Sequence, residues 1–318
     1  MYINLAASLI LLAFSVLLGW LAVRAWRSGN SFVKWGLGIL TSLLTLVVAA
    51  VSVLALVGLA KFYAPRSDPA PDLKVAGTPQ QVERGHYLAN SLCVECHSTT
   101  AELPLTGGRD FAKEIPIPVG IIVSANLTPA GPLKYWSDGE IFRTLRSGID
   151  RDGHHLIVMS GVPVRNMSDE DIQAVIAFLR SQPAVSNETP NPPDQPSLLA
   201  AIMYGAGMLP QGLPPVAEEI VAPLRAPTAE YGEYLVSFVG CRDCHGEDLS
   251  GGKPGGLAPV GPSLRVVKGW TGEQFLTTLR TGVDPSGHAL KDSMPWKVLG
   301  RMDDDDLTAI YQYLIGLQ

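Results

Sequence analysis

The chain has 318 residues, 47% of them hydrophobic, and a formal net charge of −6. That length admits two or three units of ordinary domain size, and a positive mean hydropathy is high for a wholly soluble protein. Residues 65–318 hold 20 of the 24 Lys and Arg and all 30 Asp and Glu, a net charge of −10, which repels nucleic acid and suits basic partners.

Most of the apolar excess lies at the front. Residues 3–23 and 35–60 contain no charged side chain, and each run exceeds the ~20 residues a helix needs to cross a ~30 Å hydrocarbon layer. Two transmembrane helices are therefore expected, at about 3–25 and 35–62. Trp20, Trp26, Trp35 and Tyr63 stand near their ends, where aromatic rings favour the interface. A cleaved signal peptide fits less well, because no basic region precedes the first run and no clear cleavage site follows it. Arg24, Arg27 and Lys34 assign the short connector to the cytoplasm, so everything after about residue 63 is expected on the extracytoplasmic side, in the periplasm.

A Pro- and Ala-rich linker is expected over 64–80, and a second Pro-rich linker over 183–225 separates two repeated units, 81–182 and 226–318. Trp136, Arg146, Gly148 and Gly153 recur 134 positions later as Trp270, Arg280, Gly282 and Gly287. Met159 and Met167 recur at an offset of 135 as Met294 and Met302. Ser137 with Glu140 and Thr271 with Gln274 have capping-box spacing ahead of short helices that should stop before Gly148 and Gly282. Ser168 and Asp303 are expected N-caps of closing helices with one apolar face. Further helices should run through Tyr87-Leu88 and Tyr234-Leu235 into the next motif. No strand pattern stands out, so each unit reads as all-α.

That motif is Cys-x-x-Cys-His, met twice: Cys93, Cys96 and His97, then Cys241, Cys244 and His245, at an offset of 148. Half one thus carries 14 extra residues between its histidine and its tryptophan, within about 100–134. Two thiols one helical turn apart with an imidazole directly after them suit two thioether bonds to haem, with the histidine under the iron. Small helical units of this size bury only a modest core, and a flat macrocycle would supply the missing apolar volume. A thioredoxin-type dithiol, a zinc site and a structural disulfide are competing readings. The first lacks a βαβ context, and the second would need ligands from motifs 148 residues apart. Two covalently bound haem c groups explain all four cysteines. Met159 and Met294, 62 and 49 residues after their histidines, are the expected sixth iron ligands. Met167 and Met302 read as core. His154 or His155 is the alternative ligand in half one; His288, aligned with His154, and His86 read as surface residues.

Beyond these motifs, RGHYL (84–88), SANLTP (124–129), YWSDGEIFRTLRSGIDRDGHHL (135–156) and MSDEDIQAVIAFLRS (167–181) resemble class I cytochrome c. So do GEYL (232–235), GPSL (261–264), WTGEQFLTTLRTGVDPSGHAL (270–290) and MPW (294–296). The nearest resemblance is to the multi-haem cytochrome subunits of membrane-associated alcohol, gluconate and aldehyde dehydrogenases. The chain departs from them in having two haem units rather than three, in its helical front, and in lacking Pro after Met159. The resemblance implies two tandem class I cytochrome c domains. It also implies that the Pro262 carbonyl fixes Nδ1–H of His245, and that Arg146 and Arg280 lie near haem propionates. Trp136 and Trp270 would stand near the haem edges or in the core. The function expected is single-electron relay outside the cytoplasmic membrane, from a dehydrogenase or quinol-oxidising complex to an oxidase or soluble carrier. A peroxidase-like dihaem enzyme with one open iron is the alternative.

Overall fold

The computed structural model describes residues 2–66, 68–209, 211–212, 216, 219–254 and 259–317. Helix α1 is Tyr2–Trp26; after a short connector, a π turn at Val33–Leu37 leads into α2, Gly38–Tyr63. The two pack as an antiparallel hairpin, and at its closed end Trp26 meets Trp35 edge-on at 5.3 Å and donates to Ser42 Oγ at 3.1 Å. The hairpin is inside out relative to a water-soluble fold. Ser8, Ser15, Ala22 and Ala55 face inward, while Ile10 and Leu46 are 69% and 67% exposed. Serine hydroxyls within it bond back to helix carbonyls, as Ser8 does to Asn4 at 2.8 Å. By length and composition both helices can cross a membrane.

Half one opens with α3, Pro79–Leu88, whose Thr78 and Gln81 form a capping box. One π turn, Ala89–Cys93, carries it without a break into α4, Val94–His97. A loop with the short strand β1, Gly120–Ile122, follows. Helix α5, Asp138–Ser147, starts at the Ser137/Glu140 box and stops at left-handed Gly148 (φ 66°). Ser168 caps α6, Asp169–Ser181, by accepting from Asp171 N–H. Strand β2, Asp194–Pro196, pairs antiparallel with β1, Gly120 opposite Pro196. It is followed by α7, Leu198–Gly205. Half two holds α8, Ala229–Phe238, and α9, Cys241–His245, separated by left-handed Gly240 (φ 88°). Helix α10, Gly272–Thr281, has the Thr271/Gln274 box and ends at Gly282; α11, Trp296–Leu299, and α12, Asp304–Gly316, complete the chain.

Three features differ from the sequence expectations. The two-stranded ribbon was hidden because three-residue strands carry no periodic signal. Asp303 precedes α12 without capping it through its side chain, since its carboxylate is taken by Arg225 at 2.6 Å. The two linkers are packed rather than free. The first lies along α5, where a Cβ on Gly139 would meet the Pro71 carbonyl at 1.9 Å, and the second contains β2 and α7.

Each half is built on one tight crossing. A Cβ at Gly85 would lie 1.9 Å from the Ala174 carbonyl, and one at Gly232 would lie 1.9 Å from that of Ala309. Glycine lets α3 touch α6, and α8 touch α12, backbone to backbone. The halves then share one continuous apolar core and join about a local two-fold of equivalent residues. Tyr87 of half one donates to Asp306 of half two at 2.6 Å, and Tyr234 of half two donates to Asp171 of half one at 2.6 Å. Each hydroxyl also accepts a backbone N–H at the N-terminus of the facing helix, from Asp303 at 3.1 Å and Ser168 at 2.8 Å. Arg84 grips Asp171 bidentately at 2.8 and 2.9 Å, and Arg225 bonds Asp306 at 3.0 Å. Asp171 and Asp306 are buried, so these cations and hydroxyls keep the two carboxylates from being stranded.

Candidate functional site

The π turn and α4 set Cys93, Cys96 and His97 on the wall of an apolar cavity. Met159, from the loop after α5, and Trp136 line the same cavity. The segment peculiar to half one adds Phe111 and Ile122. The His97 Nδ1 lies 3.0 Å from the Ala125 carbonyl. A carbonyl only accepts, so Nδ1 carries the proton and Nε2 keeps its lone pair for a metal. Burial lowers the pKa of His97, which favours this neutral form, and the Ala125 bond opposes it only in part.

Half two repeats the arrangement on α9. The His245 Nδ1 lies 2.6 Å from the Pro262 carbonyl, the partner expected for it. Gly261 runs under the imidazole so closely that a Cβ there would meet Nδ1 at 2.8 Å. Met294 packs at the edge of the core and leads through Pro295 into α11.

The loops after the two histidines hold the same bonds. Gly107 N–H and Gly251 N–H donate to the carbonyls of His97 and His245, each at 2.8 Å. Leu127 N–H bonds the Leu105 carbonyl and Leu264 N–H that of Leu249, each at 2.9 Å. Ala125 is therefore the counterpart of Pro262. The 14 extra residues of half one are not a single loop. Four fall between His97 and Gly107, seven between Gly107 and Ala125, and three between Ala125 and Trp136, counted against the matching intervals in half two. The sequence reading missed Ala125 because these insertions break the constant offset, although SANLTP already contained it.

Burial pushes the Cys93 and Cys241 thiols up to about 12 and raises those of Cys96 and Cys244. Dithiol exchange needs the thiolate, so these surroundings disfavour it. The cysteines are unpaired with one another. An apolar cavity beside two protonated thiols and a carbonyl-fixed imidazole fits thioether-linked haem.

Arg146 is not among the residues that line the cavity of half one, and both Arg146 and Arg280 are engaged by backbone carbonyls and a carboxylate. Arg146 donates to the carbonyls of Arg165 and Met167 and to Asp169; Arg280 donates to those of Gly300 and Met302 and to Asp304. Both pin the chain ahead of a closing helix. Met167 and Met302 are buried in the core. His86 is exposed against Phe178, and His288 is exposed. His154 sits half-buried beside Asp150, while His155 is buried against Tyr204. Neither lines the cavity that holds Met159. Asp194 of β2 was not foreseen; it lines the cavity, accepts Ile157 N–H at 2.6 Å, and burial raises its pKa to about 6.

This fold and donor set define a c-type cytochrome, a protein that carries covalently bound haem c and transfers electrons. Residues 82–183 match the Cytochrome c family, and residues 227–314 match the family described as Cytochrome C oxidase, cbb3-type, subunit III. The chain is 30% identical over 263 residues to a nicotinate dehydrogenase subunit of Pseudomonas putida, covering 74% of this chain and 21% of that protein. It is 29% identical over 266 residues to the cytochrome c subunit of the quinone alcohol dehydrogenase of Gluconobacter oxydans, covering 73% and 54%. With the gluconate 2-dehydrogenase cytochrome c subunit of Pantoea cypripedii it shares 27% over 300 residues, covering 84% and 65%. The chain thus spans about a fifth of the first relative and about half of the second. It is a c-type cytochrome related to such dehydrogenase subunits.

Proposed function

We propose that the chain is a two-pass, membrane-anchored dihaem cytochrome c that relays single electrons on the extracytoplasmic side of the cytoplasmic membrane. The observation that carries this is the duplicated site: in each half a histidine beside two cysteines has Nδ1 held by a backbone carbonyl, leaving Nε2 for iron. Haem c supplies one-electron iron chemistry; the chain supplies tethering, a dry apolar wall and a fixed imidazole. Met159 and Met294 are the sixth ligands in this reading, and Pro262 and Ala125 orient the fifth. Arg146 and Arg280 hold the chain ahead of the closing helices. The electron donor is a dehydrogenase, as the names of the relatives suggest, and the acceptor is an oxidase or soluble carrier.

The test uses the full-length protein in detergent. The denatured chain should carry the mass of two haems and show haem staining. Met159→Leu and Met294→Leu should each remove the methionine-to-iron charge-transfer absorbance of one haem and leave the other low-spin. Unchanged spectra in either variant would remove that methionine from the ligand set. One high-spin haem in the parent protein would favour the peroxidase-like enzyme instead.

A further inference from the structure

Helix α7 is out of place in a water-exposed linker. Residues 195–217 contain no charged side chain. One face of α7 is spent on the fold: Ala200, Ala201 and Tyr204 are buried. Its contact with α2 is at backbone distance. A Cβ on Gly58 would lie 1.8 Å from the Ala201 carbonyl, and one on Gly205 would lie 2.0 Å from the Leu54 carbonyl. Tyr204 meets Phe62 edge-on at 6.0 Å. Asn4, at the start of α1, donates to the Pro196 carbonyl just ahead of α7 at 2.6 Å.

The other face holds Leu199, Ile202, Met203 and Ala206, at i, i+3, i+4 and i+7. A helix facing water would place polar side chains there. Here the face is apolar and partly or fully open, with Leu199 39% and the following Met208 69% exposed. It adjoins the open leucines and valines of α1 and α2. The α2 segment it covers, Leu54–Phe62, lies at the end of a helical run of 31 residues, about 46 Å long at 1.5 Å per residue, against a hydrocarbon layer of ~30 Å.

We propose that α7 is a third membrane-contacting element, lying in the outer leaflet against α2 with Leu199, Ile202, Met203 and Met208 among the lipid chains. The inference rests on the anchoring reading above. A helix that is apolar on both faces is at home only where neither face meets water, and α2 covers only one. The consequence is positional. Tyr204 touches His155, and Arg66 at the exit of α2 bonds Tyr204, the Gln211 carbonyl and the Gly153 carbonyl. Helix α7 therefore ties the loop that carries Met159 to the membrane surface, and half one is the membrane-proximal half.

The experiment is spin labelling of the full-length holoprotein, one copy per nanodisc of zwitterionic lipid. The cysteines of the two motifs are consumed by haem, so single Leu199→Cys, Met208→Cys, Leu46→Cys and Glu188→Cys variants label at one place each. Collision rates with oxygen, which enters lipid, and with a water-soluble nickel chelate are compared. Leu199 and Met208 should favour oxygen several-fold, as Leu46 does, while Glu188 favours nickel. Nickel access at Leu199 and Met208 with Leu46 still oxygen-favouring would overturn the α7 assignment and leave the anchor standing. Shielding of both from either reagent would also overturn it, since a protein surface rather than lipid then covers them. Nickel access at Leu46 would sink the anchoring reading itself.

Discussion

Removing one phenol oxygen tests whether the halves form a single mechanical unit. In Tyr87→Phe, Asp306 loses a 2.6 Å bond and the Asp303 N–H loses its 3.1 Å acceptor, while the ring and its packing remain. Asp306 still keeps Arg225 at 3.0 Å. A hydrogen bond to a charged group contributes ~1.5–3 kcal/mol, so a cost of about 2–3 kcal/mol is expected. Tyr234→Phe removes the equivalent bond to Asp171 and the acceptor of Ser168 N–H, and should cost about as much by the same reasoning. Guanidinium titrations followed by far-ultraviolet dichroism and by Soret absorbance give both costs. The parent should unfold in one transition seen by both probes, and the double variant should resolve two, because the cross-bridges reinforce the shared apolar core in coupling the halves. A loss below ~0.5 kcal/mol in each single variant, with one transition retained in the double, would refute the argument.

The crossings give a second test. Gly85→Ala or Gly232→Ala drives a methyl to 1.9 Å from a carbonyl oxygen, so the helices must separate, at an expected cost of ~1–3 kcal/mol or more by thermal denaturation. An Ala variant of parental stability would show that this contact tolerates expansion. Asp194 gives a pH dependence. Its folded pKa, about 6, lies above its ordinary 3.8, so its stabilising protonated form persists below about pH 4 and its contribution is lost as the pH rises through 6. Asp194→Asn, which can still accept the Ile157 N–H, should match the parent at pH 4 and exceed it by up to ~3 kcal/mol above pH 7. Parallel curves for the two proteins would contradict the burial argument. The difference matters because His155, lowered by burial to about 4, trends oppositely and is destabilising as the pH falls from 6.5.

Local chemistry was legible in the order of the residues alone. The capping boxes at Ser137 and Thr271, the left-handed glycines that end α5 and α10, and the two apolar runs each depend on residues within a few positions of one another. The Cys-x-x-Cys-His spacing is of the same kind, because one helical turn is enough to place its three side chains. Tertiary structure decided whatever depends on distant segments meeting. Ala125 reaches His97 across insertions that no fixed offset could follow. Arg146 and Arg280 turn to backbone carbonyls that the fold brings alongside them. Tyr87 and Asp306, 219 positions apart, become partners only because the two halves close on one shared apolar core. Likewise α7 looked like linker until Gly58 and Gly205 allowed it to rest on α2. Short-range rules follow from backbone geometry that every chain shares; long-range pairing depends on which surfaces close, and that is settled by packing of the whole.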